Sequence, residues 1–232
     1  MRWTPLFLLL AACGDDGGGG VQDSAPPIDT DNASCGDQLR YTGELVDWDD
    51  DTTFCGVNEA LFQEEDNGAM DTTAPNGRFD MCISGTARTR RIDVTPPADN
   101  SPCAMAPGMY ATPIIAIADR AVIRGGGFQS MRMFTTARAA ALGVVLDPAK
   151  AHVFVHVAGE ARAVSLGNAH GPAQANAATT WAPGDTGHDV FFPNVELGGG
   201  STTLTAAGAG VTGAGTIPLE AGKITAATLL VQ

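Results

Sequence analysis

All five cysteines in this 232-residue chain lie in its first half, and four of them, Cys35, Cys55, Cys82 and Cys103, form a group within 69 positions. No two of them form a Cys-x-x-Cys pair, the spacing typical of structural zinc sites, so the pattern disfavours zinc. An even set of cysteines in an exported chain favours disulfides, and we expect two bridges here. Spacing alone does not choose among the three pairings that four cysteines allow.

The fifth cysteine, Cys13, follows a segment with the features of an export signal. Arg2 supplies a positive charge, residues 6–10 form an apolar run, and Ala11 and Ala12 are the small residues of a cleavage site. The apolar run is far shorter than the roughly 20 residues that a membrane-spanning helix needs. We therefore expect residues 1–12 to be a signal peptide that is removed on export.

The order leucine, alanine, alanine and then Cys13 resembles the lipobox of bacterial lipoproteins. This resemblance implies that Cys13 becomes the mature N-terminus, that its thiol carries a diacylglyceryl group, and that its amine carries a further acyl chain such as palmitate. Each buried methylene contributes about 0.8 kcal/mol, and two chains give stable anchoring. We expect the protein to be held in the cell envelope, at the outer membrane, by this lipid anchor.

An acidic stretch after the first predicted strand has part of the spacing of a calcium loop. Asp47, Asp49 and Asp51 occupy positions one, three and five, but Thr52 stands where an EF-hand needs glycine and Asn58 where it needs glutamate. The sequence therefore excludes an EF-hand. A looser calcium site and a simple solvated acidic loop both stay open.

A long segment, residues 167–189, contains Trp181 between His170 and His188. Long loops are either functional or disordered, and an aromatic plane beside polar groups is suited to stacking on a sugar or a peptide. The alternative is that Trp181 covers the open end of a β-sandwich, and we favour that interpretation. His170, Trp181 and His188 are the weak ligand-binding candidates.

Catalytic and metal-binding motifs find little support in the rest of the chain. Ser84 and Ser130 lack a Gly-x-Ser-x-Gly turn, and there is no His-Glu-x-x-His motif. His152 and His156 would lie on one face of a strand about 13 Å apart, too far to share a metal, and are expected to be surface or cross-strand residues. We expect no catalytic residue, no metal ion and no cofactor.

Charge and composition separate a tether from the folded part. Residues 13–34, beginning with the lipidated Cys13, are rich in glycine, aspartate, proline and serine, and predict a flexible linker with an end-to-end distance of about 25 Å. The net charge is −13, and all of the excess lies in residues 1–102. Because an acidic surface repels phosphate backbones, nucleic acid is disfavoured as a partner.

From Cys35 the sequence alternates between short apolar runs and turns, which is typical of a mainly β fold. We predict strands near residues 39–46, 57–63, 70–73, 78–83, 89–94 and 112–123, with turns at Asp66-Asn67-Gly68 and Asn76-Gly77.

Several of these segments carry a family resemblance, namely residues 43–46, 56–61, 72–79 and 92–94. They resemble, in order, the carboxypeptidase regulatory-like or transthyretin-like β-sandwich family. The resemblance implies a hairpin over residues 72–79, with Phe79 facing between the sheets, and a module without catalysis. The acidic insertion at 47–51 and the four cysteines depart from the family pattern.

After an alanine-rich segment, the second half of the chain repeats the same pattern of short apolar runs separated by turns. Residues 128–143 predict a linker helix, with Thr135 or Thr136 as its N-cap and Gly143 past its end. Strands are predicted near 152–157, 161–166, 191–197, 202–206 and 224–231. The fold class is therefore predicted as two tandem immunoglobulin-like or transthyretin-like β-sandwiches, residues 35–127 and 144–232, joined by a short helix. One larger sandwich is the alternative.

These features together predict a non-catalytic, lipid-anchored lipoprotein of the cell envelope that is structural or binds another envelope protein or a glycan. The alternative is an envelope hydrolase or metal-binding protein whose site is assembled across loops.

Overall fold

The computed structural model describes residues 35–48, 56–66, 68–85, 87–97, 112–134, 136–176 and 180–232. The fold is mainly β, as predicted. The elements of the first half are β1 (Leu39–Asp47), β2 (Leu61–Glu64), β3 (Met70–Thr72), β4 (Arg78–Ile83), β5 (Thr89–Thr95), β6 (Ile114–Asp119), α1 (Arg120–Arg124), β7 (Gln129–Met133) and α2 (Thr136–Ala141). Those of the second half are β8 (Ala151–Ala158), β9 (Arg162–Leu166), β10 (Gln174–Asn176), β11 (Trp181–Pro183), β12 (Thr186–Gly187), β13 (Asp189–Val195), β14 (Ser201–Ala206), β15 (Val211–Thr212), β16 (Gly215–Pro218) and β17 (Ile224–Val231).

The described strands form three sheets. The central sheet has ten strands in the order β11-β10-β13-β8-β17-β6-β5-β2-β3, with β15 paired to β17. A three-stranded sheet, β4-β1-β7, packs on one face of it, and a four-stranded sheet, β12-β9-β14-β16, packs on the other.

The central sheet takes strands from both halves of the chain. The last strand, β17, lies between β6 and β8 and runs parallel to both, so that Ile224 is in register with Ile114 on one side and His152 on the other. The expected tandem of two sandwiches joined by a helix is therefore not confirmed, because the two halves share one sheet.

Two hydrophobic cores lie on opposite faces of the central sheet, and its middle strands contribute to both. On β8, Phe154 packs in the first core, against the three-stranded sheet, whereas Val153 and Val155 pack in the second core, against the four-stranded sheet. Strands buried on both faces have mostly apolar sequences, as β8 and β17 do, each with only two polar residues among eight.

The predicted linker helix of residues 128–143 is wrong for its first part, since Gln129–Met133 is strand β7, paired parallel to β1. Gln129, Met131 and Met133 are buried, while Ser130 and Arg132 between them are part-exposed, which is the period of two expected of a strand. Only Thr136–Ala141, the alanine-rich part, is helical. The strand predicted at 112–123 likewise ends early, because the Asp119 side chain accepts hydrogen bonds from the Ala121 and Val122 backbone and caps α1.

The segment of residues 72–79 connects two sheets instead of forming a hairpin. Strand β3 pairs with β2 in the central sheet, while β4 pairs with β1 in the three-stranded sheet. Phe79 is buried and stacks on Phe62 at 4.3 Å between centroids, so its expected position between the sheets is confirmed. Gly77 makes the turn with a φ of 75°, and a Cβ there would lie 2.2 Å from the Leu45 carbonyl oxygen.

A disulfide joins Cys35 to Cys82 at the start of the described fold. Cys82 lies in β4, beside Arg40 of β1, so the bond ties the N-terminal end of the domain to the three-stranded sheet. The remaining predicted positions, Cys13, Cys55 and Cys103, lie outside the described residues, as do Asp49 and Asp51 of the acidic stretch. None of the described helices is both long and apolar enough to cross a bilayer.

Candidate functional site

A line of five residues crosses the central sheet from β11 to β17, and we call it the polar row. Its members are Trp181, Asn176, Asp189, His156 and Thr228, each in register with the next across adjacent strands. Because residues in register project to the same face of a sheet, the five side chains lie side by side.

Strand alternation decides which face the polar row occupies. Its sequence neighbours Ala175, Val190 and Val155 pack in the second core, so the row must lie on the face of the first core. Asn176 and Asp189 are buried, with relative exposures of 8% and 6%, whereas Trp181 and His156 are part-exposed. The row therefore has buried polar groups that lie next to groups reaching the surface.

Asp189 is the centre of the charged contacts in the polar row. Its Oδ1 lies 2.8 Å from Nδ1 of His156, and its Oδ2 accepts a hydrogen bond of 3.0 Å from Nε of Arg132 on β7. Burial raises the pKa of Asp189, but the hydrogen bond and charge of His156, with the charge of Arg132, outweigh it and hold that pKa below its usual value. The carboxylate is thus ionised at neutral pH, and Nδ1 of His156 donates to it.

A second carboxylate, Glu44, lies on β1, the middle strand of the three-stranded sheet. Glu44 and Ser130 are in register on β1 and β7, and Ser130 Oγ donates to Glu44 Oε1 at 3.3 Å. Burial raises the pKa of Glu44, and this effect outweighs the lowering by Ser130, His156, Arg78 and Arg132. His156 and Arg132, the two charged partners of Asp189, are thus also among the groups that lower the pKa of Glu44.

Aromatic rings enclose the Trp181 end of the polar row. Trp181 stacks on the fully buried Trp48 with 4.3 Å between ring centroids, and Trp48 in turn contacts Phe134 at 4.4 Å and Phe191 at 5.0 Å. The Arg132 guanidinium lies 5.9 Å from the Trp181 ring centroid, within cation–π range. Arg132 thus contacts both the aromatic and the acidic parts of the row.

Three buried polar atoms in this region have no hydrogen-bond partner among the described residues: Asn176 Oδ1, Trp48 Nε1 and Trp181 Nε1. Buried polar groups in folded proteins are nearly always paired, so an unpaired group needs an explanation. The atoms comprise one acceptor and two donors, and they belong to two adjacent residues of the row and to the ring stacked beneath it.

The structure does not bring together the three ligand-binding candidates of the sequence analysis. Trp181 faces the first core, whereas His170 packs its ring on Phe192, a residue of the second core, with 4.8 Å between centroids. His170 also lines a shallow surface cavity of about 400 Å³ with Pro172 and Pro183. His188 is exposed, and its backbone pairs with Val157 and Asn176. Only Trp181 therefore belongs to the polar row.

The two histidines of β8 have different environments. His152 is buried, with a relative exposure of 1%, and its Nδ1 accepts a hydrogen bond from the Asn194 backbone across β13. Burial lowers the pKa of His152 to about 4, so this ring is neutral at neutral pH. The expectation that both histidines are surface or cross-strand residues is confirmed, since each makes a hydrogen bond to β13 across the strand pair.

Sequence reasoning does not single out Asn176, Arg132 or Glu44, because strands distant in the chain bring them to one place. Asp189 alone has a local signal, as an acidic residue that opens an otherwise apolar strand, Asp-Val-Phe-Phe. Within the described ranges, no group of three or more histidine, cysteine, aspartate or glutamate side chains is placed to hold a metal ion.

No family model matches the chain, and no match to a curated protein was found. The resemblances to bacterial lipoproteins and to carboxypeptidase regulatory-like domains stay predictions from the sequence.

Proposed function

We propose that the protein is a lipid-anchored, non-catalytic lipoprotein of the cell envelope, held at the outer membrane, that binds another envelope component, a protein or a glycan. The export signal of residues 1–12, the cysteine that follows it and the linker of residues 14–34 support this proposal. Acyl chains on Cys13 would hold the domain at the membrane, and the linker would separate it from the lipid headgroups.

The observation that carries this proposal is the Cys35–Cys82 disulfide. Disulfides persist in oxidising compartments outside the cytosol, so the bond supports export independently of the signal sequence. Its position also suits an anchored protein. Cys35 begins the described fold directly after the linker, and Cys82 lies inside β4. A pulling force on the lipid anchor would therefore act on β4 as well as on β1. Separation of β1 from its sheet would then require more force than it would without the disulfide.

The test is replacement of the proposed lipid-carrying residue in cells supplied with labelled palmitate. Cys13→Ala should abolish labelling and release the protein from the membrane fraction, because the acyl chains have no other attachment point. Cys35→Ala is the matched control, since it removes a cysteine only 22 positions away by number yet should leave the labelling unchanged. Labelling that persists in Cys13→Ala would overturn the proposal.

An envelope hydrolase is a second candidate function, and one observation favours it. The 2.8 Å contact between Asp189 and His156 Nδ1 matches the pair that orients a general base, leaving His156 Nε2 to accept a proton from a nucleophile. Ser130, at the adjacent edge, has the required hydroxyl, but its Oγ is hydrogen-bonded to Glu44 instead of to the imidazole.

A fluorophosphonate probe separates this second candidate from the first. An activated serine becomes covalently labelled, and labelling at Ser130 that is lost in Ser130→Ala and much reduced in Asp189→Asn would establish the hydrolase. An unlabelled wild-type protein would eliminate Ser130 as the nucleophile and leave the non-catalytic proposal in place.

A further inference from the structure

We infer that the polar row, at the Trp181 and Asn176 end, binds a neutral saccharide. This inference deepens the proposed function by naming the class of ligand and the residues that recognise it. Its basis is the set of unpaired buried atoms together with the paired charges and the aromatic rings around them.

The unpaired atoms determine which hydrogen bonds a ligand must make. Asn176 Oδ1 needs a donor, whereas Nε1 of Trp181 and of Trp48 each need an acceptor. A hydroxyl group donates and accepts at once, so one or two adjacent hydroxyls would satisfy groups that the described residues leave unpaired. An apolar ligand would leave these groups unsatisfied, at the energetic cost of burying polar atoms without partners.

The charges around these atoms favour a neutral ligand over an ionic one. Asp189 is already paired to both Arg132 and His156, with side-chain exposures of 8%, 14% and 19% respectively. A ligand anion would compete with Asp189 for Arg132, and a ligand cation would compete with Arg132 for Asp189. A neutral ligand leaves the pair intact.

The aromatic rings favour a ligand with an apolar face as well as hydroxyls. Trp181 stacks on Trp48, which is fully buried, and Trp181 itself is part-exposed, so its indole is the ring that a ligand can reach. The C–H face of a pyranose ring is apolar while its rim carries hydroxyls, which matches the part-exposed indole of Trp181 with the polar side chains of Asn176 and Asp189 next to it in the row. An extended peptide would instead add a strand to a sheet edge, which β11 provides at the end of the described strand order, but Asn176 and Asp189 lie on strands that are paired on both sides and would be reached through their side chains alone.

The experiment is an NMR titration of the full chain, ¹⁵N-labelled and in mild detergent, with a panel of neutral sugars. The panel contains glucose, galactose, mannose, xylose and N-acetylglucosamine, with their short β1,4-linked and α1,4-linked oligomers. Since tryptophan occurs at only three positions, the indole N–H signals of Trp48 and Trp181 can be assigned with single Trp→Phe variants. At least one saccharide should shift both signals saturably.

Two site variants and one control locate the binding. Asn176→Ala removes the acceptor, and Trp181→Phe keeps a ring but removes the N–H, so each should weaken affinity about tenfold. His170→Ala, at the cavity on the opposite face, should bind as the wild type does. Trp181→Phe keeps an aromatic ring against Trp48, so it provides the test if Asn176→Ala fails to fold.

Three results would overturn the inference: no saccharide shifts the indole signals of the wild type, neither site variant weakens binding, or galacturonate binds more tightly than galactose. The titration uses no membrane, so its failure leaves the anchoring proposal untouched, and loss of acyl labelling leaves the saccharide site untouched.

Discussion

Arg132 and Asp189 form an ion pair between two different sheets, with Arg132 Nε on the three-stranded sheet 3.0 Å from Asp189 Oδ2 on the ten-stranded sheet. Both side chains are largely buried, and His156 completes the set on the other carboxylate oxygen. Since a buried carboxylate is costly without partners, this pair couples the position of the β7 edge to that of the polar row. The row is therefore expected to lose its geometry when the pair is broken.

Arg132→Met should lower the free energy of unfolding by about 3 kcal/mol, because it leaves the buried Asp189 with one charged partner fewer. Urea unfolding at neutral pH measures this change. Arg40→Met is the matched control: Arg40 pairs with the half-exposed Asp80, and loss of an exposed pair costs less than about 1 kcal/mol. Equal losses in the two variants would contradict the buried character of the Arg132–Asp189 pair.

Stability should fall as the pH is lowered from about 6.5 towards 4, owing to His152. The pKa of this buried ring is about 4 in the folded protein, below the value of about 6.5 expected when it is unfolded, so the unfolded state takes up the proton first. Protonation of the unfolded chain therefore favours unfolding across this window. NMR titration of the imidazole measures the pKa, and denaturant midpoints at pH 7 and pH 5 measure the stability.

His152→Gln is the test variant for this pH dependence, and His170→Gln is its control on an exposed histidine. The first should flatten the fall in stability between pH 7 and pH 5, while the second should leave it unchanged. Asp189 acts at lower pH: its depressed pKa gives stability that is present above about 4 and is lost as the pH falls through the folded pKa. An imidazole of His152 that titrates near 6.5 would contradict the prediction.

Removal of the Cys35–Cys82 disulfide should lower the free energy of unfolding by about 2 to 4 kcal/mol, since the bond restricts the unfolded chain. The Cys35→Ala/Cys82→Ala double variant tests this by urea unfolding. The denatured wild type should also show no free thiol among Cys35, Cys55, Cys82 and Cys103. Two or more titratable thiols in quenched, unreduced protein would contradict the expectation of two bridges.

How far the sequence predicts this fold depends on the range of the interactions. Strands such as β1, β4, β8 and β14 are predicted because alternation or a continuous apolar run is a local signal. Strand β7 is missed because only two of its residues, Met131 and Met133, are apolar, and the helix-forming alanines that follow outweigh them. Local composition therefore predicts a helix or strand well only where the adjacent residues do not favour a different secondary structure.

The polar row is harder to predict because non-consecutive strands assemble it. Asn176 and Asp189 lie close in sequence, but His156 and Thr228 meet them only through the pairing of β13 with β8 and of β8 with β17. Arg132 reaches Asp189 from another sheet. Sequence periodicity gives the face on which a residue lies, but it does not give the partner strand.

Residues 144–232, predicted from the sequence to be a separate domain, share a sheet and a core with the first half of the chain. In the structure, β17 is hydrogen-bonded to β6 along Ile224 to Ala227, and Phe154 and Phe191 of this segment pack in the first core with Phe134 and Trp48. A fragment of residues 144–232 would expose the β17 edge and one apolar face of the central sheet. We expect it to aggregate or to unfold without cooperativity, as measured by size-exclusion chromatography and a thermal transition.

The control for this fragment is a polypeptide of residues 112–232, which restores β6, α1, β7 and α2. It restores β6, the strand partner of β17, together with Phe134, but it still lacks β1 and Trp48. We therefore expect it to aggregate less than the shorter fragment. Its thermal transition should be broader than that of the whole chain. A dispersed NMR spectrum and a sharp transition from residues 144–232 alone would mean that the second half folds independently, and that the pairing of β17 with β6 contributes little to stability.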